Sequence, residues 1–519
     1  MRKKLPIGIQ TFAKMREADY YYVDKTDQIL QLIDQGTHYF LSRPRRFGKS
    51  LLLDTIAELF SGNEALFQGL YCHEGWDWAK RYPVIRISFA EGVLQSRAEL
   101  DQRIQEILNH QARSLSCPLT EHSLAGQFSE LIEQVNHRYG QRVVILVDEY
   151  DKPILDNLTQ PEMAKAMRDG LRNLYSVIKG QDAHIRFAML TGVSKFSKVS
   201  LFSGLNNLED ITVSKTYSAI CGYTEQDLSN VFAPELSGLD RDSIRAWYNG
   251  YNWLGESVYN PFDILLFFRE RQFRPYWFET GTPTFLIDVL TERGFFAPDF
   301  ERLHATEALL SSFDVEKIAT LALLWQTGYL TFKGSRQLGA RIEYALTYPN
   351  LEVKSALNDA LLKGLMNDDM SAEQAQSRLY DLLYANDFHG LKNHFQSLYA
   401  SIPHDWYRNN PIAQYEGYYA SVFYSHFAAL GLDITLEDVT HHGQIDMTVQ
   451  FNDHIYLFEF KVVELTEQGR ALQQLKDKRY ADKYRSRQQP LILIGIEFSK
   501  TQRSVLSFEV EHAQLNESS

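Results

Sequence analysis

The feature that most constrains the fold is the segment RVVILVDEY at residues 142–150, in which five apolar residues lead without alternation into two carboxylates. This pattern is typical of a parallel strand covered on both faces, because a strand with one wet face alternates apolar and polar side chains. Similar strand patterns lie at 38–43, 83–89 and 185–192, and helical patterns lie at 99–116, 123–138 and 162–178. Strands alternating with helices predict a doubly wound α/β domain with a parallel sheet, which we place at residues 1–221.

The character of the chain changes twice after this domain. Residues 222–404 show mainly helical patterns, and they begin with Thr224 three residues before Asp227, as in a capping box. An aromatic, glycine-bearing stretch at 246–263 interrupts these helices and leaves room for a small hairpin. Residues 405–519 then have the order helix, strand, strand, strand, helix, strand, which makes a complete small α/β domain.

Composition excludes several classes of protein. The 519 residues are 44% hydrophobic and 23% charged, as expected for a globular chain of several domains. The sequence has no signal peptide and no run of about 20 apolar residues, which predicts a cytoplasmic protein without a membrane partner. Its three cysteines are far apart, which excludes a disulfide framework and a CxxC metal site. The net charge of −13 implies that any nucleic acid is bound through a local basic patch.

The segment SRPRRFGKS at residues 42–50 lies between a predicted strand and a predicted helix. This is the setting of a phosphate-binding loop, in which backbone N–H groups and a helix N-terminus converge on an anion. Gly48 would allow close approach of the backbone, Lys49 would contact the β- and γ-phosphates, and Ser50 would bind Mg²⁺. Arg43 occupies the place of the usual first glycine, so an ordinary basic turn is the alternative.

The two carboxylates after the apolar strand favour the nucleotide site over that alternative. Carboxylates at the mouth of a buried strand cost free energy unless they serve a metal or a hydrogen-bond network. Asp148 suits a water-mediated contact to Mg²⁺, and Glu149 suits a base that polarises the attacking water. Thr191 or Ser194, after the next strand, would sense the γ-phosphate or would only cap the strand. We therefore predict ATP and Mg²⁺ as ligands, with further contacts from the loop residues Arg45, Arg46, Phe47 and Leu51.

Several segments of the first 290 residues or so resemble the prokaryotic AAA-ATPase-like family. They are LPIGIQTF, YYVDKT, RPRRFGKSLLL, ILVDEYDKPI and LTGVSKFSKVSLFSGLNNLEDIT, followed by WYNGYNWLGESVYNPFDIL and YWFETGTPTFLI in the helical part. The family has the same arginine-rich loop without the first glycine, so the resemblance implies that Arg43 is compatible with nucleotide binding. Asp24 and Lys25 fall in one of its motifs, and capping of a turn is their plain explanation.

A second group of charged residues lies in the predicted C-terminal domain. Asp446 is near the start of one strand, and Glu459 and Lys461 alternate to one face of the next strand. Asp446 and Glu459 would be oxygen ligands for Mg²⁺, and Lys461 would position water or stabilise the charge on phosphorus. Glu416 on the preceding helix would complete the metal shell or orient Lys461. A polar edge strand with a surface ion pair is the alternative.

This arrangement resembles the PD-(D/E)XK nuclease superfamily over about residues 405–510. The resemblance rests on the acidic residue of the helix, the segments GQID and EFK, and a following helix that contains QL. It implies the catalytic residues Glu416, Asp446, Glu459 and Lys461. Gln474 and Tyr480 are weaker matches, because their spacing is longer than the usual QxxxY.

A basic patch in the same domain bears on the partner. Residues 470–487 contain seven Lys and Arg residues against two Asp residues, which favours nucleic acid, although a solvated helix face is the alternative. Together the two sites predict ATP-gated cleavage of nucleic acid. The rivals are a signalling ATPase whose C-terminal domain binds nucleic acid or a partner without cutting, and a scaffold with an inert site. The sequence leaves open DNA versus RNA, and it leaves open a homo-oligomer.

Overall fold

The computed structural model of the chain forms two compact units. One comprises residues 1–281 and 303–350, and the other comprises residues 282–302 and 351–519. The structure describes residues 2–195, 207–281, 286–287, 290, 300, 303–310, 319–366, 369–401, 416–464, 466–487, 489–502 and 504–513. Within these ranges only the backbone is described at residues 280–281, 365–366, 369, 401, 416–418 and 485. Parts of two motif segments, at 196–206 and 282–285, lie outside the described residues.

The first unit is built on a five-stranded parallel sheet, as the sequence predicts. Its strands are β1 His38–Ser42, β2 Val84–Ser88, β3 Val143–Asp148, β4 Ile185–Gly192 and β5 Glu209–Asp210. They lie in the order β2-β3-β4-β1-β5. Strand β3 is an interior strand with buried apolar residues, which accounts for its lack of alternation. Because parallel strands end at the same edge of a sheet, the residues that follow β1, β3 and β4 lie close together.

Helices connect these strands, and serine residues begin two of them. The α-helices are Phe12–Glu17, Thr26–Gln35, Lys49–Phe60, Arg97–Ser114, Leu124–Tyr139, Lys152–Leu155 and Pro161–Gly180. Short 3₁₀ helices span Glu64–Phe67, Tyr71–His73 and Asp182–His184. The side chains of Ser96 and Ser123 each accept a hydrogen bond from the backbone N–H three residues later. These bonds satisfy donors that have no partner within the first turn of a helix.

The first unit continues with shorter helices that bury part of the N-terminal segment. They span Glu225–Val231, Ala233–Leu236, Arg241–Tyr248, Pro261–Glu270, Tyr276–Gly281, Glu307–Leu310 and Thr320–Thr327. The predicted capping box is present, since Thr224 and Asp227 each accept a hydrogen bond from the backbone N–H of the other. Tyr21 and Val23 belong to the hydrophobic core of these helices. The N-terminal segment is therefore part of this core.

The sequence analysis missed an antiparallel sheet in this unit. Its strands are β6 His304–Thr306, β7 Thr331–Leu338 and β8 Arg341–Thr347, in the order β6-β8-β7. Only Thr331 and Phe332 of β7 are buried, so most of this strand is polar and lacks the alternation of a half-buried strand. In the stretch 246–263, where a hairpin was expected, Tyr251 and Val258 form an isolated antiparallel bridge.

The range 222–404, predicted as one module, is mainly helical but is divided between the two compact units. Residues up to 281 and from 303 to 350 belong to the first unit. The second unit includes the helices Leu351–Met366, Asp369–Tyr384 and Phe388–Ser401.

The second unit also contains a mixed five-stranded sheet. Its strands are β9 Asp433–Thr440, β10 Gly443–Phe451, β11 His454–Val463, β12 Leu491–Ser499 and β13 Ser504–His512. They lie in the order β13-β12-β11-β10-β9, with β11 and β12 parallel and the other neighbours antiparallel. The helix Glu416–Ala429 precedes β9, and the helix Arg470–Asp477 and a 3₁₀ helix Tyr480–Arg487 connect β11 to β12.

The prediction for this region is confirmed except at one helix and at its end. The hairpin, the following strand and the strand β12 form where the sequence predicts them, whereas the single helix predicted over 467–486 is divided into an α-helix and a 3₁₀ helix. Strand β13 was not predicted. It is an edge strand of the sheet, and its serine and glutamate residues interrupt the apolar pattern.

Candidate functional site

The loop 43–48 joins β1 to the helix Lys49–Phe60. Two of its residues have left-handed backbone conformations, Arg46 with a φ of 67° and Gly48 with a φ of 92°. A Cβ on Gly48 would meet nothing within 4 Å, so backbone conformation rather than space requires the glycine. The bend brings Lys49 and Ser50 into the first turn of the helix, where backbone N–H groups point toward an anion.

The ammonium group of Lys49 is held inside this loop. Its Nζ donates to the backbone oxygen of Arg43 at 2.9 Å and to that of Pro44 at 3.0 Å. Burial lowers the pKa of Lys49, and the negative charge of Asp148 opposes this shift. Because both hydrogen-bond acceptors are neutral, the positive charge of Lys49 remains available to an anion.

Asp148 connects the loop to the ends of β3 and β4. Its Oδ2 accepts a hydrogen bond from Ser50 Oγ at 2.6 Å, and its Oδ1 accepts one from Thr191 Oγ1 at 2.9 Å. The backbone N–H of Glu149 donates to the same Oδ1 at 3.0 Å. The structure thus brings together Ser50, Asp148 and Thr191, and the hydroxyl and carboxylate oxygens are the donor types that Mg²⁺ prefers.

Glu149 is half-buried just beyond β3. Its φ of 51° is unusual for a residue other than glycine, which indicates a conformation imposed by the surrounding structure. Burial raises the pKa of the Glu149 carboxyl, and the positive charge of Lys49 opposes that shift. A raised pKa makes this carboxylate more basic than an exposed one.

Arg43, which replaces the usual first glycine, is fully buried. Its guanidinium donates to the backbone oxygens of Thr212 at 2.9 Å and Tyr217 at 3.1 Å, and it stacks over the ring of Trp253 at 3.9 Å. Burial lowers the pKa of Arg43 to about 10. This arginine therefore fixes the loop against the rest of the unit.

The other predicted residues of the loop divide into packing and exposed groups. Phe47 is buried against Tyr251, with ring centroids 4.8 Å apart in an edge-on arrangement. Arg45 and Arg46 are exposed, and the Arg46 guanidinium lies 4.0 Å from the ring centroid of Phe262. The two exposed arginines add positive charge beside Lys49.

Sequence reasoning assigned no functional role to Asp151, which is buried next to this site. Its carboxylate accepts hydrogen bonds from the backbone N–H of Val193 at 3.1 Å and from the backbone N–H of Ser194 at 2.6 Å. The hydroxyl of Ser194 donates to the same carboxylate, so the structure directs Ser194 to Asp151. Burial raises the pKa of Asp151. The DEYD segment was the available signal, since an acidic residue so close to a buried strand needs a partner.

A cleft of about 540 Å³ adjoins the loop. The predicted loop residues Arg45, Arg46, Phe47, Gly48, Lys49, Ser50 and Leu51 line it together with Glu149. The opposite walls come from the N-terminal segment, including Ile9, Val23 and Lys25, and from the helical part, including Tyr223 and Phe262. A cleft with a cationic end and apolar walls has the size and chemistry to hold a nucleotide.

The second predicted site lies on one face of the sheet in the second unit. Strand β9 pairs with Ile445 and Met447 of β10 on either side of Asp446, and the residue opposite, Glu437, has a φ of 44°. This local irregularity releases Asp446 from the regular pairing. Its Oδ2 accepts a hydrogen bond from the backbone N–H of Phe460 at 2.7 Å, which holds it beside β11.

Glu459 is fully buried between three predicted residues. Its Oε1 accepts hydrogen bonds from Lys461 Nζ at 3.2 Å and from the amide of Gln474. Burial, reinforced by the charge of Asp446, raises the pKa of Glu459. The other oxygen, Oε2, has no hydrogen-bond partner among the described residues. A buried carboxylate oxygen without a partner beside a second carboxylate fits a cation, so these residues are compatible with Mg²⁺.

Tyr480 also lies at this site, despite its longer spacing from Gln474. The charges of Glu459 and Asp446 contribute to the raised pKa of Tyr480, after burial as the main cause, and a hydrogen bond to Gln474 opposes the shift. A Cβ on Gly443 would lie 2.6 Å from the Tyr480 hydroxyl oxygen, so only glycine allows this approach. The weaker motif residues are therefore neighbours of the stronger ones.

For one predicted catalytic residue, the structure describes the backbone but not the side chain. Glu416 is the first residue of the helix Glu416–Ala429, but its side chain lies outside those that the structure describes. Within the described part of the chain, no group of three or more His, Cys, Asp and Glu side chains converges to hold a metal ion. Asp446 and Glu459 are the two described carboxylates at the site.

The basic patch is partly neutralised by its surroundings. Lys476 Nζ lies 2.7 Å from Glu511, Lys483 forms an ion pair with Asp438, and Arg487 donates to Gln450. Arg470, Lys478 and Arg479 are exposed, whereas the side chain of Arg485 lies outside the described ones. The exposed cations Arg470 and Lys478 line a shallow cleft together with Gln474.

The sequence analysis also missed two buried acids that support this site. Glu497 of β12 accepts hydrogen bonds from the backbone N–H of Gln468 and Arg470, which anchors the start of the helix that carries Gln474. Asp438 of β9 accepts hydrogen bonds from Tyr484, Lys483 and Thr448. Neither has a motif, since each is defined by partners distant in sequence.

The fold and these two sites define a P-loop-type α/β unit joined to a nuclease-like α/β unit. A family model described as predicted AAA-ATPase matches residues 6–202, and the model of the PD-(D/E)XK nuclease superfamily matches residues 414–508. An uncharacterized protein in the vnfD 5′ region of Azotobacter chroococcum mcd 1 is 67% identical over 513 residues, which cover 98% of this chain and 99% of that protein. The chain therefore belongs to the family of that protein, with an AAA-ATPase-like domain and a C-terminal PD-(D/E)XK nuclease superfamily domain. Both predicted resemblances are confirmed.

A comparison with solved structures adds little. The structure of Drosophila ORC bound to AT-rich DNA and Cdc6 aligns with a TM-score of 0.19 and 11% identity, over 67% of this chain and 88% of that chain. A likeness this low carries no argument about this chain.

Among the described residues, no helix combines the length and the apolar character that crossing a membrane requires.

Proposed function

We propose that the first unit binds ATP with Mg²⁺ and hydrolyses it. The observation that carries this proposal is the hydrogen-bonded series Ser50–Asp148–Thr191, whose first member lines the same cleft as Lys49. Lys49 would exchange the backbone oxygens of Arg43 and Pro44 for the β- and γ-phosphates. Ser50 and Asp148 would hold Mg²⁺, which supplies charge neutralisation on the phosphate oxygens.

The remaining roles follow from position. Glu149 would orient and polarise the attacking water from the mouth of β3, because its carboxylate is half-buried near Lys49. Thr191 would act through Asp148 rather than by direct contact with phosphate. The backbone of the loop would surround the phosphates, with positive charge from Arg45 and Arg46 and shape from Phe47, Gly48 and Leu51.

We propose that the second unit cleaves phosphodiester bonds of nucleic acid in a metal-dependent reaction. The observation that supports it is Glu459, buried with one oxygen unbonded next to Asp446. Asp446 and Glu459 would hold Mg²⁺, which activates water and stabilises charge on phosphorus. Lys461 would position the water, and Glu416 would complete the metal shell from the preceding helix.

We further propose that the nucleotide state of the first unit gates cleavage by the second. Both units carry sites suited to phosphate chemistry on one chain, and uncontrolled cleavage of nucleic acid would harm a cell. ATP can act as such a gate only if it binds one conformation of the protein more tightly than another.

One experiment tests these proposals together. Purified protein is incubated with plasmid, single-stranded DNA and RNA, with and without ATP, and with Mg²⁺ or Mn²⁺. Cleavage that needs metal, depends on ATP and disappears in Asp446→Ala supports the full proposal. Salt-dependent retention of nucleic acid without cleavage would instead favour a signalling ATPase whose C-terminal domain only binds its partner.

A further inference from the structure

Tyr22, Val23 and Lys25 of the motif YYVDKT line the nucleotide cleft, and the aspartate of the motif has a structural explanation. Asp24 Oδ1 accepts hydrogen bonds from the backbone N–H of Thr26 at 2.9 Å and from its hydroxyl at 2.7 Å. Asp24 Oδ2 accepts a hydrogen bond from the backbone N–H of Tyr71 at 2.7 Å. These bonds stabilise the turn before the helix Thr26–Gln35. They leave the role of the neighbouring Lys25 to be explained.

Lys25 is a cation in the wall of the same cleft that contains Lys49. Its Nζ lies 2.6 Å from Asp227 Oδ2, and the two side chains are only 13% and 20% exposed. Asp227 has a second function, because the same oxygen accepts the backbone N–H of Thr224 in the capping box. The carboxylate is thus fixed by its own helix, whereas Lys25 reaches it from the N-terminal segment.

The charges acting on a third residue of the cleft also indicate that Lys25 lies near the phosphate loop. Cys221 lines the cleft, and burial raises the pKa of its thiol. The positive charges of Arg43, Lys49 and Lys25 all oppose that shift, so Lys25 lies close enough to act on the same thiol as the phosphate-loop lysine. Lys25 therefore contributes to the positive potential in which a polyphosphate would bind.

We propose that Lys25 is a second nucleotide-binding cation and that Asp227 competes with the phosphates for it. This inference rests on the proposed binding of ATP and deepens it. The carboxylate of Asp227, 2.6 Å from the ammonium group of a lysine that lines the cleft, disfavours a polyphosphate nearby and retains that ammonium group. Nucleotide binding transfers this ammonium group from Asp227 to the phosphates, and it thereby loosens the tie between the N-terminal segment and the helix Glu225–Val231.

This competition predicts effects of opposite sign on nucleotide affinity. Lys25→Met removes the cation and should weaken ATP binding about tenfold, which corresponds to about 1.4 kcal/mol. Asp227→Asn removes the competing charge and should tighten ATP binding several-fold, since the amide oxygen can still accept the N–H of Thr224. A purely structural ion pair would give the same sign for both variants, because each variant breaks it.

The test measures ATP affinity by calorimetry in the full chain, for the parent and for each variant, with melting temperatures as a check of folding. Lys25→Arg should keep most of the affinity, because it keeps the charge. Arg241→Met is the matched control, since it removes an exposed ion pair with Glu225, for which the N–O distance is 2.7 Å. Its affinity should equal that of the parent.

Failure of this inference is distinguishable from failure of the proposed function. If the parent does not bind ATP, the assignment of the nucleotide site is wrong. If the parent binds ATP but Lys25→Met binds it equally tightly, or if Asp227→Asn binds it more weakly, Asp227 and the phosphates do not compete for Lys25. A gain of affinity in Asp227→Asn cannot come from misfolding, so that variant keeps the test decisive.

Discussion

Arg43 and Lys49 are two cations of one loop, and their hydrogen-bond acceptors separate their functions. The Arg43 guanidinium donates to the backbone oxygens of Thr212 and Tyr217 and is fully buried. A ligand that displaced this guanidinium would leave the buried carbonyl groups without a hydrogen-bond partner. Lys49 donates to the loop's own carbonyl oxygens at the edge of an open cleft. A phosphate can replace them, because the carbonyl groups can then be hydrated.

Lys49→Ala should lose nucleotide affinity with little loss of stability. A hydrogen bond to a charged group contributes about 1.5–3 kcal/mol, so ATP binding should weaken by about 10–150-fold. Calorimetry measures the affinity. Arg43→Met is the contrasting variant, and it should lower the melting temperature because it leaves buried carbonyl oxygens without a donor. Unchanged ATP binding by Lys49→Ala would show that the loop does not bind phosphate.

Glu149→Gln should separate binding from hydrolysis. The amide keeps the shape of the side chain and leaves Ser50 and Asp148 in place, so ATP should bind about as tightly as it does to the parent. Loss of a general base typically slows a reaction by about 10²–10⁴-fold, and ATP turnover should fall by that order. Phosphate release under saturating ATP measures it. Turnover at the parent rate would assign the base to another residue.

The nuclease-like site gives a third prediction. Asp446→Ala, Glu459→Ala and Lys461→Ala should each abolish metal-dependent cleavage and leave ATP hydrolysis near that of the parent. In the absence of metal, Glu459→Ala should also have a higher melting temperature than the loss of a neutral side chain of the same size would give. The reason is that burial and the charge of Asp446 oppose ionisation of the Glu459 carboxyl. Lys500→Ala, which removes a surface ion pair with Glu464 outside the basic patch, is the control and should retain cleavage.

Cleavage that persists in all three variants would have to come from a different site or from a contaminating enzyme. Cleavage lost in the control as well would point to general damage of the unit. Gel assays on plasmid and on single strands distinguish these outcomes when parent and variants are purified side by side.

The residues that sequence reasoning found are those whose neighbours in the chain define their role. Lys49 and Ser50 follow a glycine at a strand-to-helix turn, and Asp148 ends an apolar strand. The local sequence pattern was therefore sufficient to predict that these residues share one site, and Ser50 does contact Asp148. Asp151, Glu497 and Asp438 act only through partners from other elements. A single sequence contains no local signal for such contacts.

At the scale of elements, the buried strands were predictable and the exposed strands were not. Strands β3 and β12 are buried along their length, so their apolar runs identify them. Strands β7 and β13 have mixed or exposed surfaces, and hydrogen bonds to neighbouring strands rather than burial of an apolar face define them. The irregular pairing that releases Asp446 was likewise not predictable from the sequence, because it depends on the pairing of β9 with β10.

A pair of histidines shows how two elements of the second unit depend on pH. His394 and His426 lie on the helices Phe388–Ser401 and Glu416–Ala429, with their Nε2 atoms 2.8 Å apart. Burial lowers the pKa of His394 to about 4, with a smaller contribution from Arg378. Burial, followed by the charge of His394, lowers the pKa of His426 to about 3. Both imidazoles are therefore neutral in the folded protein at pH 7.

This pair predicts a contribution to the stability of the second unit that is lost in mild acid, opposite in sign to the effect of the raised pKa of Glu459. Because the pKa values in the folded state lie below the usual 6.5, the unfolded chain binds protons first as pH falls. The contribution to stability is complete above about pH 6.5 and is lost progressively below it, by about 2 kcal/mol per histidine at pH 5. In His426→Phe, the melting temperature should change less between pH 7 and pH 5 than it does in the parent. His389→Gln, at an exposed histidine on the helix that carries His394, should leave the pH dependence as it is in the parent.

At the scale of the whole molecule, each compact unit carries its own candidate site for phosphate chemistry. Among the residues that the structure describes, those that line the cleft belong to the first unit, and the charged residues at Glu459 belong to the second. Any control of one by the other must arise from a conformational equilibrium that both ligands influence.

The gate between the units can be measured as a coupling free energy. A typical coupling of about 1–3 kcal/mol would change the affinity for nucleic acid by about 5–150-fold when ATP binds. Thermodynamic reciprocity then requires nucleic acid to change the affinity for ATP by the same factor, so the coupling can be read from ATP binding alone. The double variant Glu149→Gln, Asp446→Ala suppresses both reactions and keeps the ligands intact. ATP affinity is measured with and without a saturating oligonucleotide, and we expect a change of at least about fivefold. Equal affinities would mean that the two units are independent at equilibrium, and ATP hydrolysis would then have to serve another step, such as assembly or the action of a partner protein.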